Sequence, residues 1–262
     1  MACLYPMEAQ AGQGANFILY NQHMEEKGAT EVEVFSDYSH VGEGEANYTA
    51  QLYEIEYGVT DLFTTAVYLE TVKTFEQGEN YDFGSFRFEN RLRLFEQKTL
   101  LNPVLYAEYE YKKPTSRFIR AVVGRTDGEE EEEEKSEHEL ETKLILGHDL
   151  TNDLNVAFNT IQEVNFEDGL WSFGYAAGLN YTFFRASEGR LEKMTLGLEF
   201  YGGLGDSDKG LTFDGSKTEQ YAGLGLRCDF TNELHIGIGG AFGLTGASED
   251  AIVRLTTGYE FE

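Results

Sequence analysis

The chain is short of basic residues, with 20 Lys and Arg against 47 Asp and Glu, which gives a formal net charge of -27 over 262 residues. Binding a phosphate backbone requires a concentrated basic surface that releases counterions, so no nucleic acid is expected as a partner. Cysteine is scarce, with Cys3 near the start and Cys228 far along the chain, and no disulfide framework supports the fold. Proline occurs only three times. No apolar run reaches the roughly 18 residues that a transmembrane helix needs, which excludes helical spans and leaves strand-built ones open. The opening "MACLYPMEAQAGQG" carries Ala9-Gln10-Ala11 but neither a basic nor an apolar signal region, so a signal peptide is read as absent or truncated.

What is abundant is glycine (29), phenylalanine (19) and tyrosine (16), the composition of a chain rich in strands and turns. Period-two alternation dominates and runs well past the five or six residues of an ordinary strand. Trp171, Phe173, Tyr175, Leu179, Tyr181 and Phe183 share one face, while Ser172, Gly174, Ala176, Gly178, Asn180 and Thr182 share the other. Twelve strands are expected, at 14–26, 48–59, 62–75, 83–96, 103–114, 135–149, 152–166, 170–184, 190–204, 217–230, 233–246 and 250–261. Residues 31–40, "EVEVFSDYSH", alternate as well and are read as a strand extension or a hairpin within a long first loop.

Connections alternate between compact turns, such as Thr60-Asp61 and "LTND", and mostly longer polar or acidic loops, such as 27–47 and 115–134. An even strand count with short turns at one rim and long loops at the other describes a single closed antiparallel transmembrane β-barrel. The expected fold is therefore all-β, with about twelve strands, short periplasmic turns and longer acidic extracellular loops. A periplasmic tail would cover 1–13 and the barrel 14–262. In lipid the strands must close, because an open edge leaves backbone groups unsatisfied at several kcal/mol each. Aromatic residues near strand ends, including Tyr57, Phe63, Tyr109, Tyr111, Tyr181, Phe183, Phe230 and Tyr259, suit the two membrane interfaces.

The stretches "EIEYGVTDLFTTAVYLE", "HELETKLILGHDLTNDLNVAFN" and "DAIVRLTTGYEFE" resemble hairpins and the closing strand of bacterial outer-membrane barrels, especially transporter-like porins of poorly defined substrate. That resemblance implies a Gram-negative outer membrane, contact with its lipid, and insertion by the outer-membrane machinery through the C-terminal strand. Here the final aromatic, Phe261, is followed by Glu262, a departure from the usual ending.

Charges on the polar faces are the candidate pore lining: Arg87, Glu89, Arg91, Arg93, Glu108, Glu110, Lys112, Glu139, Glu141, Lys143, Arg227, Asp229 and Arg254. Glu54 and Glu56 join them. Opposed rows of charge across a lumen would orient polar solutes, and rings of charge select ions. The function expected is passive passage of small polar solutes or ions, with no enzyme activity, no cofactor and no metal. The competing readings are a non-conducting structural or adhesion barrel, in which these charges pair and fill the interior, and an outer-membrane phospholipase-type hydrolase. The last would need a nucleophile, a base and an orienting group, and Ser39 beside His40 supplies only adjacency. Glu129, Glu130, Glu131, Glu132, Glu133 and Glu134 form an acidic extracellular loop, read as a solvated, self-repelling run that shapes the field at the mouth. Asp206 and Asp208 in "GDSDKG" give only a fragment of a calcium-loop spacing. The glycine spacings in "GLGLRCDF" and "GIGGAFGLTG" lie on alternating strands without a following helix, so they are not nucleotide loops.

Overall fold

A computed structural model describes residues 13–40, 47–75, 81–95, 101–116, 136–208, 210–212 and 218–261. The strands are β1 (Thr30–His40), β2 (Tyr48–Thr60), β3 (Phe63–Thr74), β4 (Asp82–Arg93), β5 (Val104–Lys112), β6 (Glu137–Asp149) and β7 (Leu154–Asn165). They continue with β8 (Trp171–Arg185), β9 (Leu191–Asp206), β10 (Gly210–Leu211), β11 (Gln220–Phe230), β12 (Leu234–Gly243) and β13 (Ala251–Phe261). All but β10 form one closed up-and-down ring of twelve antiparallel strands, and β10 pairs only with β9, outside the ring. The ring is sealed where β1 meets β13, from Thr30↔Phe261 to His40↔Ala251. Every wall strand thereby has both edges paired, as strands surrounded by hydrocarbon require.

The faces are inverted relative to a soluble protein. On β2, Glu54 and Glu56 are 7% and 2% exposed, while Ile55 between them is 51% exposed. The same inversion holds on β4, where Arg87, Glu89 and Arg91 point inward and Phe86, Phe88 and Leu92 outward. Outward aromatics stand at the strand ends of both rims, Tyr57, Tyr181, Phe183 and Tyr259 at one and Tyr38, Trp171 and Phe242 at the other, at the levels of the two interfaces. The periplasmic rim carries the compact turns, including Asp61–Leu62 between β2 and β3 and 231–233 between β11 and β12. The opposite rim carries 113–136 and 207–219, its longest connections. The acidic run Glu129–Glu134 falls in the first of these and lies outside the described residues.

One element departs from the sequence expectation. Residues 14–26 form no strand, and the first wall strand is β1, built from the "EVEVFSDYSH" stretch. The physical reason is alternation: Glu31, Glu33, Phe35 and Asp37 face inward in turn, whereas Asn16 through Gln22 are buried without a break. A wall strand shows one face to lipid, and this segment shows none. It lies within the lumen.

Because the outer face meets hydrocarbon, a charge placed there is costly. Replacing Ile238, which is mid-strand on β12 and outward-facing, by Arg is expected to destabilise the folded barrel by about 2–4 kcal/mol, the scale for Arg near the bilayer midplane. Urea titration of folding into lipid vesicles measures it.

Candidate functional site: a charged lumen filled by the chain itself

The predicted lining residues mostly occupy the positions expected. Arg87, Glu89, Arg91, Glu108, Glu110, Glu139, Glu141, Lys143, Arg227 and Arg254 are all buried inside the ring, and Lys112, Arg93 and Asp229 are partly so. Their pairing differs from rows opposed across a lumen. Most partners are neighbours along the wall, because β-register brings their head groups together side by side. Arg87 binds Glu110 at 2.8 Å, its register partner on β5, and approaches Glu70 on β3 at 3.6 Å. Arg254 grips Asp37 through two contacts of 2.7 Å, again between register partners. Lys143 sits 3.1 Å from Glu141 on its own strand, and Lys112 bridges Glu137 and Glu139 at 3.1 and 2.7 Å. Longer reaches occur too: Arg91 of β4 binds Glu56 of β2 while holding Glu89 at 2.9 Å.

A second cluster stands nearer the periplasmic rim, where Glu31, Glu33 and His235 bring ligand-type atoms within 4.8 Å of one another. His235 binds Glu33 directly, and Arg227 stands 3.5 Å from Glu33, 3.7 Å from Glu31 and 2.7 Å from Asp229. These carboxylates already carry cationic partners, so the cluster is an ion-pair network. Its members are about 200 residues apart in sequence and meet only through ring closure.

The lumen centre belongs to residues 13–29. Glu199 of β9 accepts hydrogen bonds from three successive backbone amides, those of Phe17, Ile18 (3.1 Å) and Leu19 (2.9 Å). Asn159 of β7 clasps Tyr20 from both sides, accepting from its N–H at 2.8 Å and donating to its carbonyl at 2.9 Å. Arg254 donates to the Phe17 carbonyl at 3.0 Å, and Arg93 to the Gln22 carbonyl at 3.1 Å. An irregular chain buried away from water must find partners for its backbone, and wall side chains supply them. The Tyr20 hydroxyl donates to Glu89 at 3.0 Å, and its ring lies 4.6 Å from the Lys143 ammonium. Phe17, Ile18 and Leu19 are fully buried, each side chain contributing roughly 1.5–3 kcal/mol to holding the segment. At the rim, burial together with Glu31, Glu56 and Glu260 pushes the Glu25 carboxyl up to about 10, so it is held protonated.

The wall is cut back to admit this segment. A Cβ at Gly225 would meet the backbone of Ala15, one at Gly58 the backbone of Glu25 and Glu26, and one at Gly147 the side chain and backbone of Gln22. Between segment and wall there remains a cavity of about 20 Å³, bordered by Gln13, Tyr20, Glu31, Glu33, Glu54 and Glu108 among others. That is room for a water molecule.

Two other candidates resolve locally. The Ser39 hydroxyl donates to Glu249, whose carboxylate also takes the Tyr48 hydroxyl at 3.0 and 3.1 Å, so the described partner of Ser39 is an acid and not a histidine. Asp206 accepts the Asp208 N–H at 2.9 Å, a turn contact.

No family model matches the chain, and no curated protein does. Solved structures do. An outer membrane channel from Pseudomonas putida F1 superposes with a TM-score of 0.52 at 15% identity, over 90% of this chain and 97% of that one. The KdgM porin, in complex with disordered oligogalacturonate, gives 0.54 at 8% identity over 88% and 99%. The chain shares the fold of outer-membrane β-barrels. The β domain of the Bordetella autotransporter BrkA also matches, at 0.53 and 12% identity over 90% and 100%, so the fold is shared by channels and autotransporters alike.

The interior pairing makes a quantitative prediction. Arg254→Met strands Asp37 in the lumen and is expected to cost about 3–5 kcal/mol, whereas Arg254→Met with Asp37→Leu recovers most of it. A double-mutant cycle read by urea unfolding in detergent micelles checks both.

Proposed function

We propose that this barrel is a channel for small polar solutes or ions, with preference for cations, and that the conformation described above is its closed state. The observation that carries the reading is the sign of the interior. Among the described buried side chains, setting aside the protonated Glu25, fourteen are Glu or Asp and six are Lys or Arg. A lumen whose fixed carboxyl groups outnumber its bases attracts cations and repels anions. The acidic run Glu129–Glu134, between β5 and β6 in the sequence, adds charge of the same sign. The porin and channel barrels that this chain resembles support the reading at the level of fold. β13, with Tyr259 and Phe261 near its end, is proposed as the segment read by the insertion machinery.

A second reading is a non-conducting structural or adhesion barrel, favoured by the occupied lumen and the mutual pairing of its charges. Planar-bilayer recording of protein whose folding is verified by its heat-dependent gel shift separates the two. The channel reading expects discrete openings and, under a potassium chloride gradient, a reversal potential of the sign for cation flow. Folded protein that stays silent at every voltage gives the second reading the field.

A further inference from the structure

We propose that residues 13–29 are a gate: a strap that leaves the lumen toward the periplasmic rim, pivoting at Gly28, and returns to the same seat. The inference rests on the channel reading above and specifies how such a channel opens. The barrel is complete without the strap, since all twelve wall strands pair with wall strands on both edges. Apart from the rim contacts of Gly28 and Ala29 with Gly58, the strap's backbone is held by side chains, those of Glu199, Asn159, Arg254 and Arg93. Water can replace each of these hydrogen bonds, so departure breaks no ladder and opens no edge to lipid.

The pivot is equally specific. Gly28 has a φ of +93°, the left-handed region open to glycine, and a Cβ there would meet nothing within 4 Å. Its N–H donates to the Gly58 carbonyl at 2.7 Å, and the Gly58 N–H donates to the Ala29 carbonyl at 3.0 Å, so the strap stays tied to β2 at its base. The seat is cut for this occupant: at Gly225, Gly58 and Gly147 the nearest atoms to an added Cβ all belong to the strap. Burial of Phe17, Ile18 and Leu19 opposes departure, which sets the resting state closed and openings rare.

The test uses the full chain with Cys3→Ser and Cys228→Ser, carrying Leu19→Cys as reporter, in bilayers and proteoliposomes. Gly225→Val presses on the Ala15 backbone, and Asn159→Ala independently removes the clasp on Tyr20. Each variant, checked for folding by its heat-dependent gel shift, is expected to raise open probability at least tenfold. Labelling of Leu19→Cys by a membrane-impermeant maleimide is expected to accelerate in parallel. Folded variants with unchanged labelling and unchanged openings overturn the gate while leaving a conducting wild type a channel. Faster labelling without any conductance upholds a movable strap and overturns the channel reading. Should Gly225→Val fail to fold, Asn159→Ala, which adds no bulk to the wall, decides the question alone.

Discussion

Closure of the backbone is the constraint from which everything else in this molecule follows. A strand in hydrocarbon has no water to satisfy its edge, so all twelve must pair in a ring, and β1 must find β13 although they lie at opposite ends of the described chain. Once the ring is closed, lipid takes the outer face and the polar halves of all twelve strands are turned toward one narrow space. That space must then solve an electrostatic problem of its own. Arg87, Arg91 and Arg254 are almost wholly buried, and an isolated charge so placed is prohibitively costly. The register answers by setting Glu110 opposite Arg87 and Asp37 opposite Arg254. Pairing of this kind confers little net stability, but loss of a single partner is severe, so it fixes which strand alignments are tolerated.

The strap completes the same logic in the middle of the lumen. It brings a bare backbone into a space without bulk water, and Glu199, Asn159 and Arg254 act as substitutes for a neighbouring strand. Glu199 is both a lumen charge and an acceptor for three amides, so one side chain links the charge pattern of the wall to occupancy of the pore. The glycines opposite have a matching role. Where a larger residue would have packed the wall more tightly, Gly225 and Gly147 leave the strap its room.

Much of this was legible in the amino-acid order, and the exceptions are instructive. Alternation located eleven of the twelve wall strands to within a few residues, because lipid on one side and charge on the other leave an unusually clean two-residue period. It failed for residues 14–26, where "NFILY" is apolar and of strand length but does not alternate; the neighbouring "EVEVFSD" does, and it is the true β1. The inward positions of Arg87, Glu89 and Arg91 followed from periodicity alone, but their partners did not. Glu56 reaches Arg91 from two strands away, over the intervening β3, and His235 meets Glu33 across the seam, which only ring closure brings about. The strap's seat was hidden for the same reason: lumen glycines read as generic small residues until the chain that touches them is known.

The threefold amide contact at Glu199 also bears on assembly. Phe17 and Glu199 are 182 residues apart, and the other side chains that grip the strap's backbone come from β4, β7 and β13. The complete seat exists only in the closed ring, where strands from both ends of the chain stand around one lumen. Contacts so distant in sequence are slow to form, so the segment preceding β1 is expected to dock late, into a wall already largely built.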